Sequence, residues 1–376
     1  MNIHSSALKR ILVVVGTRPN FIKITQFRKA ASAYSDIDLK IVHTGQHFDA
    51  RMADVFFKQF QLQPDFFLNV QSGSPVQQMA DIMKGLEQVM TDYKPDLVMV
   101  VGDVNSTLAA AITANKMNVK LAHVESGLRS FDRSMPEEHN RVLTDHLADL
   151  FFVTEQDGMD NLQQEGKDMK ALHFVGNTMI DTMVSYEKEI DASDILNQLQ
   201  LRAKAFVLMT MHRPANVDSK EGLEKLMELI NYITASETIV FPVHPRTIKV
   251  MTETGLITQF KSNTRLMMIE PLDYFAFQKL IKESAFVITD SGGIQEETTF
   301  LRVPCLTLRP NTERPVTVKV GTNTLLPFQL TLIERYIDSI RKGTYKKGEI
   351  PALWDGRATE RIFKVLSEYH WKPSSI

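Results

Sequence analysis

Apolar runs and amphipathic stretches alternate along almost the whole chain. Ile11-Leu12-Val13-Val14-Val15 is continuously apolar, as a strand covered on both faces must be, and Gly16-Thr17-Arg18-Pro19 ends it. A helix beginning near Asn20 then carries Phe21, Ile22, Ile24 and Phe27 at largely helical spacing. Later strands are predicted at Leu39 to His43, Leu97 to Val101, Lys120 to Val124, Leu150 to Val153 and His173 to Val175, with helical stretches between them. Tyr186 to Gln200 is charged and polar, holds no strand, and reads as a helix end plus a link. A second alternation follows, with strands at Phe206 to Thr210, Thr238 to Val243, Arg265 to Ile269, Phe286 to Thr289 and Val303 to Leu308. The fold class is therefore α/β, with two Rossmann-like, doubly wound parallel-sheet domains and a cleft between them. The expected boundaries are 1–188 for the first domain, 189–200 for the linker and 201–356 for the second. Residues 357–376 carry an amphipathic terminal helix, Arg357 to Tyr369, whose apolar face suits either domain and is assigned to the first.

Composition narrows the class. At 376 residues the chain is long for one core, so two domains are the better prior. It is 43% hydrophobic and 23% charged with a net charge of −2, an ordinary globular balance without an electrostatic footprint for nucleic acid. The single cysteine, Cys305, excludes an intramolecular disulfide and lies in the apolar run Val303 to Leu308, which makes it a reduced core thiol rather than a nucleophile. No apolar run is long enough to span a bilayer, and no secretory apolar core precedes Ile11. A cytoplasmic protein without membrane contact is expected.

The chemistry gathers just after the strands, where such sheets bind ligands. Gly16-Thr17-Arg18-Pro19, His43-Thr44-Gly45-Gln46-His47, Gly102-Asp103-Val104-Asn105-Ser106-Thr107 and His123-Val124-Glu125-Ser126-Gly127 end strands of the first half. His212-Arg213-Pro214, His244-Pro245-Arg246 and Asp290-Ser291-Gly292-Gly293 end strands of the second. The most informative is the last, where a buried strand breaks at Asp-Ser-Gly-Gly and a helix follows from Ile294. Unpaired first-turn amides, the helix dipole and glycines that admit a close approach make an anion site. A plain turn capped by Ser291 is the alternative.

In this setting the chain closely resembles the non-hydrolysing UDP-N-acetylglucosamine 2-epimerases, which have a glycosyltransferase-B-type fold. The matching motifs run in order: Gly16-Thr17-Arg18-Pro19 with Lys23, Gly45-Gln46-His47, Gly102-Asp103, and His123-Val124-Glu125-Ser126-Gly127-Leu128-Arg129. Then come Pro136-Glu137-Glu138-His139-Asn140-Arg141, Gly176-Asn177-Thr178, His212-Arg213 and Pro242-Val243-His244. Thr289-Asp290-Ser291-Gly292-Gly293-Ile294-Gln295-Glu296-Glu297 and Thr312-Glu313-Arg314-Pro315 complete the set. The resemblance implies inversion at C2 by anti elimination of UDP, a bound 2-acetamidoglucal and re-addition of UDP, feeding cell-surface polysaccharide synthesis. That chemistry needs acid/base groups near C2 and a cradle for the departing diphosphate. No oxidation occurs, so no cofactor is expected, and no metal is required when Arg, Lys and amides neutralise the phosphates.

The resemblance implies Asp103, Glu125, Glu137 and His212 as catalytic groups. If the strands before Asp103 and Glu125 are neighbours, both carboxylates face one pocket, and repulsion is expected to raise one pKa. Glu137 and Glu138 also suit ordinary first-turn positions after Pro136, and a lone His after a strand is often structural. For the UDP-sugar it implies Arg18, Lys23, Leu272, Phe277, Ser291, Gly292, Gly293, Glu297 and Arg314. Arginine suits a diphosphate because its planar fork donates two parallel hydrogen bonds. Phe277 matches the position near the uracil, and core packing is its other reading. The chain departs from the family in having Val104-Asn105-Ser106-Thr107 after Gly-Asp, Pro214-Ala215-Asn216-Val217 after His-Arg, and Leu272 for a nucleotide-contacting Gln. Of an activator site found in some bacterial members, Gln46 and His47 match but Asp49, Ser74 and Pro75 do not, so no strong need for an activator is expected. A homodimer is expected from the family alone. Alternatives are the same reaction on a related UDP-2-acetamido sugar, a UDP-sugar glycosyltransferase, a hydrolysing epimerase or a non-catalytic UDP-sugar binder.

Overall fold

The computed structural model describes residues 8–46, 59–70 and 73–369. It divides into two compact units, one of Met1–Ser185 with Ala352–Ile376 and one of Tyr186–Pro351. In the first, seven strands lie in the order β3-β2-β1-β4-β5-β6-β7, every pairing parallel. They are β1 (Lys9–Val15), β2 (Ile37–His43), β3 (Phe66–Phe67), β4 (Leu97–Val101), β5 (Lys120–Ser126), β6 (Leu150–Val153) and β7 (Leu172–Phe174). Leu12, Val14, Val98 and Val100 pack beneath Ile82, Leu86 and Met90 of the helix Pro75–Tyr93. Ala109, Ala110 and Ala114 of the helix Asn105–Lys116 complete that layer, their small side chains letting backbone approach sheet. Ile11 and Val13 are also fully buried. Both faces are covered, which is why β1 is apolar at every position from Ile11 on.

The terminal helix Ala358–Glu368 belongs to this first unit. Phe363 meets Phe27 edge-on with ring centroids 5.6 Å apart. The buried Asp181 carboxylate accepts the amides of Ala358 at 3.0 Å and Thr359 at 2.5 Å, so a negative charge caps the N-terminus of that helix. Trp354, 1% exposed, donates its indole N–H to the Thr154 carbonyl at 3.0 Å. The chain thus returns to the first unit at Ala352, earlier than residue 357, because an aromatic anchor precedes the helix.

In the second unit six parallel strands lie in the order β10-β9-β8-β11-β12-β13. They are β8 (Phe206–Thr210), β9 (Thr238–Pro242), β10 (Leu266–Ile269), β11 (Phe286–Thr289), β12 (Cys305–Leu308) and β13 (Asn323–Leu326). Leu223, Leu226, Ile230 and Ile233 recur every three or four residues on the helix Lys220–Thr234 and cover Val207 and Met209. Leu280, Ile281 and Ile294 cover Phe206 and Leu208 on the opposite face. Residues 189–200 are not a free linker. They fold onto this unit, partly in the short helices Glu187–Asp191 and Ile195–Gln198, with Ile195 buried in its core. Cys305 is fully buried, and burial pushes its thiol up to about 11. Among the described residues no helix is long and apolar enough to cross a membrane.

Each sheet reverses its winding once, between β1 and β4 in the first unit and between β8 and β11 in the second. The loops after those four strands begin at Gly16, Gly102, Met211 and Asp290. In doubly wound sheets the crevice at the reversal is the ligand site.

Candidate active site

In the first unit the loop after β1 is tied to the loop after β4. Asn20, buried in the first turn of the helix Arg18–Lys23, accepts from the Thr17 amide at 3.2 Å and donates to the Val101 carbonyl at 3.0 Å. Gly102 has φ +69°, and a Cβ there would lie 3.4 Å from Lys23 Nζ. Lys23 pairs with Glu125, and both are buried. Glu125 has φ +70°, an uncommon conformation for a side-chain-bearing residue, and β5 pairs irregularly with β6 around it. Arg18 is half-buried at the start of the same helix.

Asp103 follows β4, and β4 pairs in register with β5, Val101 opposite Val124. The two strands that carry Asp103 and Glu125 are therefore neighbours. The simple picture of two repelling carboxylates is modified because each has its own cation. Arg141 pairs with Asp103 through Nη2, and Asn140 donates to the Asp103 carbonyl at 2.9 Å. Both come from the helix Pro136–Leu147, whose first turn holds Glu137 exposed and Glu138 buried. Glu138 accepts from the Ser130 and Phe131 amides at 2.8 and 3.0 Å, fixing the loop that leads into the helix.

A buried layer beneath these residues went unread in the sequence. The His123 ring has Nδ1 at 2.6 Å from an Asp145 oxygen and Nε2 at 2.8 Å from the Gly102 carbonyl. Asp145 also accepts from the Gly127 amide at 3.1 Å and from Arg129 at 2.7 Å. Burial alone would raise the Asp145 carboxyl, but His123 and Arg129 hold it below the usual range. Asp145→Asn is expected to destabilise the protein by about 3–5 kcal/mol near neutral pH, because Arg129 keeps Glu165 but the buried network loses the one charge on which His123, Arg129 and the Gly127 amide converge. A carboxylate with a depressed folded pKa contributes stability above its ordinary value of 3.8 and loses it as pH falls through the lower one. The gap between wild type and variant in urea unfolding is therefore expected to be full at neutral pH and to close only in strong acid.

Gln46 accepts from the Ser106 amide at 2.9 Å and its hydroxyl at 2.6 Å, closing the N-terminus of the helix Asn105–Lys116. Ser74 accepts from the Gln77 amide at 3.2 Å and caps the helix that begins at Pro75. His47 and Asp49 lie outside the described residues.

In the second unit Asp290 is fully buried after β11. Its oxygens accept from the His212 and Arg213 amides at 3.1 and 2.9 Å and from Asn216 Nδ2 at 3.0 Å, and they face His212 Nδ1 at 2.9 Å. Ser291 occupies the N-cap of the helix Gly292–Phe300, but its hydroxyl makes no capping bond, so the capped-turn reading does not hold. Arg314 lies against this helix start, since a Cβ on Gly292 would stand 2.9 Å from its Nη1. Its Nε pairs with Glu296 at 2.9 Å and its Nη1 with Glu313. Gln295, another residue without a role in the sequence reading, accepts from Thr312 at 2.8 Å and Asn323 at 3.0 Å, bracing the Thr312–Arg314 turn. Amides at a helix start, glycines and a guanidinium are the kinds of group that phosphate sites use. Glu297 is buried on the same helix. Leu272 and Phe277 are partly buried against the core that covers Phe206. Burial first, and then His212 and Arg246 nearby, lower the His244 imidazole below its ordinary range.

Two parallel-sheet α/β units, each with its polar residues gathered at a single winding reversal, define an α/β protein of the glycosyltransferase-B type. A profile described as UDP-N-acetylglucosamine 2-epimerase matches residues 29–367. The UDP-N-acetylglucosamine 2-epimerase of Methanocaldococcus jannaschii is 38% identical over 95% of this chain and 99% of its own. Its crystal structure in complex with UDP-GlcNAc and UDP superposes with a TM-score of 0.87, again over 95% and 99% of the two chains. A UDP-2,3-diacetamido-2,3-dideoxy-D-glucuronate 2-epimerase of Pseudomonas aeruginosa is 36% identical over 96% of this chain and 99% of its own. The chain belongs to the UDP-N-acetylglucosamine 2-epimerase family, a family of isomerases.

Proposed function

We propose that this chain inverts C2 of UDP-N-acetylglucosamine to give UDP-N-acetylmannosamine. A base takes the C2 proton while the C1–O bond breaks and its electron pair leaves with UDP. The 2-acetamidoglucal stays bound. UDP oxygen then adds back to C1, and a proton reaches C2 from the other face. The observation that carries this reading is the pair of carboxylates at the ends of adjacent strands, Asp103 held by Arg141 and Glu125 held by Lys23. A binding protein has no use for such groups beside a sugar carbon, whereas proton transfer at C2 requires them. In this reading Asp103 and Glu125 exchange protons at C2, His212 is a further acid/base group, and Arg314 with the amides from Gly292 holds the diphosphate. The Pseudomonas relative makes a UDP-2,3-diacetamido sugar acid the second substrate to try.

Proton NMR of UDP-N-acetylglucosamine with the enzyme in deuterium oxide tests the proposal. The expected result is the manno isomer with deuterium at C2 and little free UDP. Absence of C2 exchange on both candidate sugars would sink it, and UDP release only with an added acceptor would point to a transferase.

A further inference from the structure

We propose that Asp290 is a positioning residue for His212, holding the imidazole with a proton on Nδ1 so that Nε2 is the atom left to exchange a proton with the sugar. This rests on the reading of His212 as an acid/base group in C2 epimerisation. The motif that contains Asp290 points to phosphate binding, yet the Asp290 carboxylate is fully buried and its hydrogen-bond donors lie in the 212–216 turn.

The division of labour between its two oxygens is the core of the argument. Oδ2 accepts from the His212 amide at 3.1 Å, the Arg213 amide at 2.9 Å and Asn216 Nδ2 at 3.0 Å. Oδ1 lies 3.2 Å from the His212 amide and 2.9 Å from His212 Nδ1. An ionised carboxylate only accepts, so Nδ1 must donate. Burial alone would raise the Asp290 carboxyl, but hydrogen bonds from His212, Asn216 and the Arg213 amide bring it below the usual range. Arg213 Nε also donates to the Asp290 carbonyl at 3.0 Å, so the loop is fixed on both sides. The His212 side chain remains half exposed. The charged or titratable groups that face it are Asp290 after β11, Arg213 on its own loop and His244 after β9, with Arg246 beside His244. His244 Nδ1 is occupied by the Arg246 amide at 3.2 Å.

Asp290→Asn separates this role from simple stapling of the turn. The asparagine oxygen satisfies the three donors now on Oδ2, which turns its amide nitrogen toward His212 Nδ1. The ring must then accept at Nδ1 and carry its proton on Nε2, the wrong tautomer for the task. We expect kcat to fall by about 10²- to 10⁴-fold, with KM and UDP affinity changed less than about threefold. Nitrogen–proton correlation spectra of the histidine-labelled wild-type enzyme, assigned with His212→Asn, are expected to show a proton on His212 Nδ1. A wild-type ring protonated on Nε2 alone would overturn the proposal even if the Asp290→Asn protein folds poorly. So would an Asp290→Asn enzyme with wild-type kcat, while His212→Asn is inactive. Wild-type turnover by His212→Asn would instead remove the acid/base reading itself, and the dyad with it.

Discussion

Asp103→Asn is expected to slow C2 epimerisation by about 10²- to 10⁴-fold, the range a positioned acid/base group supplies, while leaving UDP binding almost unchanged. The Asp103 side chain is about one-fifth exposed and lies just beyond β4, so the new amide itself stays within reach of solvent. Its loop does not depend on the carboxylate, because Asn140 holds the main-chain carbonyl at 2.9 Å. Asn keeps an oxygen for Arg141, and Glu138 remains 3.8 Å from the same guanidinium. What disappears is the capacity to take or give a proton. Deuterium incorporation at C2, followed in single turnovers, reads that step directly, and calorimetry with UDP reads the cradle in the second unit. Undiminished exchange in the variant would move the proton transfer to Glu125 and His212.

The first-order fold was legible because parallel strands covered on both faces must be apolar at every position. Ile11 to Val15, Leu97 to Val101 and Phe286 to Thr289 are runs of this kind, and the structure makes each of them strand. The strands that escaped, Phe66–Phe67 and Asn323–Leu326, are sheet edges. The first has two residues and the second begins with two polar ones, so neither leaves an apolar run to detect. The linker misled for a related reason. Residues 189–200 are polar because only a few positions, Ile190 and Ile195 among them, turn inward. The polar loops found after the strands include those at both winding reversals, but the supporting layer was hidden by the weight placed on exposed charge. Glu138, Arg141 and Asp145 are spaced three and four apart on one helix and are all buried. A charged stripe at helical spacing, facing a strand that carries His123 amid apolar neighbours, is a signal of a buried polar network. Glu137, for which the resemblance implies a catalytic role, is on the exposed side of that helix, which no pattern in the sequence distinguished from its neighbour.

Lys23→Met is expected to reduce both activity and stability, and the pairing with Glu125 lets the two losses be separated. Both side chains are less than one-tenth exposed and form one ion pair. Removing either partner breaks a buried ion pair, which costs about 3–5 kcal/mol, whereas replacing both with apolar groups of similar volume is often neutral. The single variants Lys23→Met and Glu125→Leu should therefore each unfold at lower urea, and the double variant should recover most of the difference. Turnover should not recover. The positive φ of Glu125 belongs to the backbone and strains any side chain there equally, so it shifts the Glu125→Leu and double variants alike and drops out of the comparison. If the double variant stays as unstable as the singles, the pair is a structural element of the β1 loop, and Gly102 with Asn20 would be the contacts to test next. If stability returns and C2 exchange does not, the buried charges are retained for chemistry. That is the outcome expected where a fold keeps an ion pair whose desolvation gains it nothing in stability.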